Sequence, residues 1–201
     1  MLDPANPGFA PAVRIRSQRV LVDGTLRPAT LSIEDGRIGA VDFEDAGSVD
    51  WDLGDAVLMP GLIDSHVHVN EPGRTEWEGW HTATQAAARG GVSVLADMPL
   101  NSMPVTTTRR ALAEKRASVE GKLWVDCALW GGVIPGNAGE LSGMVHDGVA
   151  GFKAFLCHSG IDEFPAVDTH DLQRAMPLLR GLDVPLLFHA ELESDEPIDV
   201  S

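Results

Sequence analysis

Five short apolar runs recur along the second part of this 201-residue sequence. The runs end near His68, Met98, Trp130, Leu156 and His189, and helix-like stretches such as TTTRRALAEKRASV and DLQRAMPLLRGL separate several of them. Their spacing is close to the roughly 30 residues of one strand–helix unit. This alternation predicts a parallel sheet with helices packed on it, either open or closed into a barrel.

The first part of the sequence has a different pattern, with short β-type runs and no helix-like stretches between them. Residues 1–12 are rich in Pro, Ala and Gly and are expected to form a flexible tail. The runs RIRSQRVLV, TLRPATLSIE and GRIGAVDF follow, with Asp-Gly dipeptides at 23–24 and 35–36 between them. Asp-Gly between alternating runs is a hairpin signal. We therefore predict a small β-sandwich-type unit over 13–59 and the strand–helix units over 60–201.

The charge and the hydropathy of the sequence limit which partners the protein can bind and where in the cell it is expected. The chain has 15 Lys and Arg against 30 Asp and Glu, a net charge of -15. This balance argues against nucleic-acid or anionic membrane surfaces as partners. No run approaches the about 20 apolar residues of a membrane span, and the start lacks the features of a secretory signal. With Cys127 and Cys157 in apolar segments, we expect free thiols and a cytoplasmic protein.

Polar residues at strand ends decide between the two sheet architectures. No glycine-rich phosphate loop follows the first strand, which weakens an open nucleotide-binding sheet. A barrel, by contrast, builds its active site at the carboxyl ends of its strands. The polar residues found there are His66, His68, Asn101, Lys153 and His189. The sequence therefore favours a barrel with a site at this end.

The histidines and the lysine among these residues are candidate metal ligands. His66 and His68 are two apart on a strand, so both imidazoles can face one ion; a hydrogen-bonded core pair is the alternative. A lysine inside GFKAFL is costly to bury as a bare ammonium, unless its head reaches solvent. A neutral amine at Lys153 can add carbon dioxide, and the resulting carbamate can bridge two ions. A single histidine such as His189 is more often structural, but it shares the strand end with the others.

Four segments together resemble a known family. GLIDSHVHVNEPGRTEWEGW, GGVSVLADMPLNSMPVTTT, GFKAFLCHSGIDEFPAV and LLFHAEL are similar, in this order, to segments of the cyclic amidohydrolases, most closely the allantoinases. The resemblance implies a partial (β/α)8 TIM-like metal-dependent hydrolase barrel with two divalent ions, expected to be zinc. His66 and His68 would bind the more buried ion, a carboxylated Lys153 would bridge both, and His189 would bind the second. A homotetramer is also implied.

The resemblance also identifies what this sequence does not contain. Family members carry a further histidine on strand six and a catalytic aspartate on strand eight, and the chain ends at Ser201, just beyond strand five. We expect an N-terminal piece of a longer enzyme, with no catalytic residue of its own, that is insoluble or molten and inactive when expressed alone. A non-catalytic scaffold is the alternative class, although all four N-terminal ligand positions are intact.

The substrate implied by the resemblance is a cyclic ureide, with allantoin opened to allantoate in purine breakdown. Dihydroorotases carry an arginine at the position of Asn70 to hold a substrate carboxylate, so the asparagine favours an uncharged ring. Asn101 and Arg74 are further substrate-binding candidates, with loop and surface roles as their alternatives. Dihydroorotase and hydantoinase activities stay open.

Several other polar residues have lesser expected roles. Asp97 and Glu191 lie near strand ends and are expected to orient metal ligands. His158 stands where allantoinases are expected to have proline, and we expect it to alter a loop. The other histidines are predicted to lie on the surface: His81, His146 and His170.

Overall fold

The computed structural model describes residues 12–44 and 47–191, and these divide into two compact units after Gly61. The first unit is a five-stranded mixed sheet in the order β3-β2-β1-β4, with β5 also paired to β1. Its strands are β1 (Val13–Val22), β2 (Thr25–Glu34), β3 (Arg37–Asp42), β4 (Trp51–Asp52) and β5 (Val57–Leu58). The tail predicted at 1–12 lies outside the described residues up to residue 11.

Two hairpins build this first sheet, and both turns are the predicted Asp-Gly dipeptides. Asp23 and Gly24 have φ of 49° and 75°, and Asp35 and Gly36 have φ of 50° and 71°. Positive φ at both central residues is the type I′ turn that matches the twist of antiparallel strands. The three predicted strands are therefore confirmed, while the two-residue strands β4 and β5 are too short for a sequence pattern to reveal.

The second unit is a five-stranded parallel sheet in the order β10-β9-β8-β7-β6, with helices between its strands. This arrangement confirms the predicted partial barrel. The strands are β6 (Leu62–Val67), β7 (Val92–Asp97), β8 (Asp126–Gly132), β9 (Gly151–Phe155) and β10 (Leu186–His189). The helices are α1 (Trp80–Arg89), α2 (Arg109–Val119), α3 (Ala138–His146) and α4 (Thr169–Gly181).

The helix bounds follow from capping. The helix-like stretch TEWEGWHTATQAAARG becomes helical only at Trp80, whose backbone N–H donates to Glu71 Oε2 at 3.0 Å. Thr108 caps α2 by accepting from Ala111 N at 3.1 Å, as its Thr-rich start predicts. None of the helices in the described part of the chain is long and apolar enough to cross a membrane.

The parallel sheet has two differently packed faces. One face, here called the helix face, joins strand and helix residues in a buried cluster that includes Leu129, Phe152, Ala154, Leu112, Leu141 and Leu179. The opposite face carries a second buried cluster with Ala96, Trp130, Phe155 and Phe164. Because side chains alternate along a strand, Lys153, between Phe152 and Ala154, lies on this opposite face.

Candidate metal centre

The end of β6 carries the histidine pair. The ring centroids of His66 and His68 are 5.4 Å apart, and both side chains are exposed on the surface of the described chain. The pKa of His68 is lowered, and burial is the largest cause. The nearby charge of His66 lowers this pKa further. A lowered pKa keeps the imidazole neutral near pH 7, the form in which histidine binds a metal ion.

A buried ion pair holds the chain immediately after this histidine pair. The Val69 N–H donates to Asp97 Oδ1 at 2.6 Å, and the Lys115 ammonium contacts the other carboxylate oxygen of Asp97. Lys115 Nζ also donates to the Met98 carbonyl and to Ser102 Oγ, each at 3.1 Å. Asp97 was expected to orient a metal ligand. Its hydrogen bond is to the backbone next to His68 and not to a histidine ring.

Both members of this ion pair are buried. The side chains of Lys115 and Asp97 are 1% and 0% exposed. Burial raises the pKa of Asp97 to about 6, and the Lys115 charge acts in the opposite direction. A buried carboxylate without its cation would be costly, so the pair joins α2 firmly to the ends of β6 and β7.

Lys115 is the important residue of the site region that the sequence analysis missed. Its signal was the spacing of one helical face, because Ala111, Leu112 and Val119 lie three or four positions away and pack inward. A lysine on that face must find a buried partner. The partner, Asp97, is distant in sequence, and only the fold brings the two together.

Lys153 lies in the middle of β9 and is 5% exposed. Burial lowers its pKa. Its Nζ lies 5.2 Å from the centre of the Phe155 ring. The charges of Lys115 and Lys153 also lower the pKa of His68, so both lysines lie within electrostatic range of this histidine.

His189 ends β10, and the strand register places it beside Phe155. The two rings stack at a centroid distance of 4.9 Å and an interplanar angle of 10°. His189 Nε2 lies 3.3 Å from Glu191 Oε2, so Glu191 contacts the histidine that it was expected to orient. Lys153 and His189 therefore contact the same aromatic ring on the same face of the sheet.

The loop after β7 reaches the histidine pair through Asn101. Its side-chain amide nitrogen lies 3.5 Å from His68 Nδ1, and its backbone adopts a positive φ of 77°. The Asn101 carbonyl accepts from Arg74 Nη1 at 3.3 Å, and the Arg74 guanidinium lies 5.1 Å from the Trp77 ring centre. Asn101 therefore lies beside the histidine pair, and Arg74 is bound to the backbone of the Asn101 loop.

Asn70 is buried in the loop after β6. Its backbone N–H donates to the Glu78 carbonyl and its carbonyl accepts from the Arg74 N–H. Among the described residues, no hydrogen-bond donor reaches its side-chain oxygen Oδ1. A buried amide oxygen without a donor is costly, and this oxygen is closed off from solvent in the described part of the chain.

The remaining histidines lie away from this centre, on exposed positions. His158 faces Asp162 at 3.7 Å in the loop after β9, as expected of a loop residue. His81 packs edge-on against Trp124. The two thiols, Cys127 and Cys157, are free.

Comparison with known proteins decides the family. The model of the amidohydrolase family matches residues 57–197. The chain belongs to the amidohydrolase family. Enzymes of this family are generally metal-dependent and act on small molecules.

Curated amidohydrolases with similar sequences include several allantoinases. The chain is 50% identical over 187 residues to the mitochondrial allantoinase of Aquarana catesbeiana, covering 91% of this chain and 39% of that protein. It is 49% identical to the allantoinase of Streptomyces avermitilis, with 88% and 41% covered, and 41% identical to that of Saccharomyces cerevisiae, with 90% and 42% covered. The chain thus spans about two fifths of the length of these relatives.

Solved amidohydrolase structures agree on the fold. L-hydantoinase from Arthrobacter aurescens has a TM-score of 0.81 at 26% identity, covering 90% of this chain and 41% of that one. A dihydroorotase has a TM-score of 0.58 at 16% identity, covering 91% and 52%. The described chain therefore corresponds to part of the barrel in these proteins.

Proposed function

We propose that this chain forms the N-terminal part of an allantoinase, an enzyme that hydrolyses one ring amide of allantoin to give allantoate. The observation that supports this most directly is the 50% identity to an allantoinase over 91% of this chain. His66, His68, Lys153 and His189 are the residues on which the proposal depends.

These four residues fit a pair of divalent ions. His66 and His68 present two rings 5.4 Å apart for one ion, and His189 presents an exposed ring for the other. Zinc suits a donor set of imidazoles and a carbamate oxygen. Such ions, when bound, supply Lewis-acid polarisation of the ring carbonyl and a nucleophile at neutral pH.

Lys153 has the environment that its proposed role needs. Burial favours the neutral amine, which can attack carbon dioxide to form one N–C bond while one proton leaves the nitrogen. The product would be a carbamate, whose oxygens would serve as metal ligands. Among the described residues no carboxylate forms an ion pair with Lys153 that would hold it as an ammonium.

The loops around the histidine pair suit an uncharged ring. Residue 70 is a neutral asparagine, and the Asn101 amide lies beside His68, where it can hydrogen-bond to a ring carbonyl. Arg74, held by the Asn101 carbonyl, positions that loop. A substrate carboxylate would lack a cationic partner at residue 70, which separates allantoin from dihydroorotate.

The same proposal includes the setting of the enzyme. We propose a cytoplasmic homotetramer in purine breakdown, acting without nucleic-acid or membrane partners. The net charge of -15 is consistent with these exclusions.

A substrate panel on the protein at its natural length tests the proposal. Allantoin, dihydroorotate and hydantoin are supplied separately, and ring opening is followed by release of the acyclic product. We expect the highest kcat/KM for allantoin and a metal content of about two ions per chain. A higher kcat/KM for either of the other rings would assign a different cyclic amidohydrolase, and absence of metal would favour the scaffold alternative.

A further inference from the structure

A second donor cluster lies beside His189 and includes two residues that the proposed function leaves without a role as metal ligands. Cys157, His189 and Glu191 each offer one donor atom, and these atoms all lie within 4.8 Å of one another. The cluster combines a thiol, an imidazole and a carboxylate. No such combination is needed by the two-ion centre, which uses His189 alone of the three.

The strand register explains why these three meet. β9 and β10 are parallel, with Phe155 paired to His189, and the Leu156 N–H continues the ladder to the His189 carbonyl at 3.1 Å. Cys157 and Glu191 each follow this pair by two residues. Both lie just beyond the ends of their strands, and the chain brings their donor atoms next to the His189 ring.

The three donor residues differ in how exposed they are to solvent. The thiol of Cys157 is buried, with the residue 8% exposed, whereas the side chains of His189 and Glu191 are 46% and 74% exposed. An incoming ion would therefore meet the carboxylate and imidazole first and then the sheltered sulfur. Phe155, stacked on His189, closes the other side of the imidazole.

The geometry points to a site for a single thiophilic divalent ion at Cys157, His189 and Glu191. Sulfur and nitrogen donors favour soft or borderline ions such as Cd²⁺ and Zn²⁺ over Mg²⁺ or Ca²⁺. Binding forms a metal–sulfur bond and releases the thiol proton to solvent. Because the site uses His189, an ion held there competes with the second catalytic ion and inhibits ring opening; this consequence rests on the proposed function.

Cadmium chloride added to the protein at its natural length, without thiol reagents, is the test. We expect a thiolate-to-cadmium absorption band in the ultraviolet that is lost in C157S and retained in C127S. Cys127 is the matched control, because it is the other free thiol and burial raises its pKa to about 12. E191Q should weaken Cd²⁺ binding about tenfold, a loss typical of altered metal partners.

A second measurement needs no variant that might misfold. In the wild-type protein, Cd²⁺ should slow alkylation of Cys157 by iodoacetamide, read by mass spectrometry, and leave Cys127 unchanged. A band that persists in C157S, or unprotected Cys157, overturns the site. Equal inhibition of wild type and C157S overturns the competition for His189. If the protein opens none of the three rings, the proposed function fails while the band and the alkylation still decide the metal site.

Discussion

Two buried lysines lie on opposite faces of the same parallel sheet and have opposite surroundings. Lys115, on the helix face, contacts the Asp97 carboxylate and donates to two further oxygens. Lys153, on the opposite face, lies over the Phe155 ring, and burial alone shifts its pKa. The comparison teaches that burial does not by itself make a lysine reactive, because a partnered ammonium keeps its charge and serves packing.

The difference follows from what each lysine can exchange for lost hydration. Removing a cation from water costs several kcal/mol, and a well-placed anion offsets this cost. Lys115 has such an anion. Lys153 does not have one among the described residues, so losing a proton is its available way to reduce the cost, and a neutral amine is a nucleophile.

The largest effect is expected from Lys153→Ala. The variant should lose bound metal and hydrolytic activity together, because no bridging group can form, while its thermal unfolding midpoint should lie close to that of the metal-free wild type. Metal analysis and the allantoin assay measure the two losses. Activity comparable to that of the wild type would contradict the bridging role and make Lys153 a packing residue like Lys115.

Lys115→Met should instead reduce stability, by about 3–5 kcal/mol, because it leaves the Asp97 carboxylate buried without its cation. Urea unfolding measures the loss. Adding Asp97→Leu to this variant should recover a large part of it, since both charges are then gone. Arg110→Ala is the matched control on the same helix: its ion pair with Glu114 is exposed, and its removal should change stability by less than about 0.5 kcal/mol.

Failure of the double variant to recover stability would show that the hydrogen bonds of the two side chains, from Lys115 to Met98 and Ser102 and from Val69 to Asp97, contribute more than the attraction between their charges. The activity of the folded Lys115→Met protein also separates the role of Lys115 from that of Lys153. Its metal ligands are intact, so activity should persist in the folded fraction.

Thr108→Ala should reduce stability less than Lys115→Met does, by about 1 kcal/mol, because it removes one cap at the start of α2. Lys115 lies two turns further along the helix, so its ion pair should survive. Urea unfolding together with metal content checks both parts. Loss of metal in this variant would mean that the whole of α2, and not the ion pair alone, supports the histidine pair.

Much of the fold could be predicted from local pattern. The Asp-Gly turns, the five apolar runs and the threonine cap each depend on a few consecutive residues, and the structure confirms them. The start of α1 was harder, because the Glu71 carboxylate that contacts the Trp80 N–H is supplied from outside the helical stretch. The short strands β4 and β5 pair with β1 from a distance in sequence, which no local pattern records.

The sequence by itself determined the alternation of strands and helices, with His66, His68 and His189 at strand ends and Lys153 within a strand rather than at its end as expected, because strand periodicity and turn chemistry are local. Only the tertiary structure decided which lysine has an anionic partner and which thiol lies beside His189. These contacts join residues far apart in the chain, and electrostatic and coordination energies depend on distances of a few ångströms that sequence spacing does not specify.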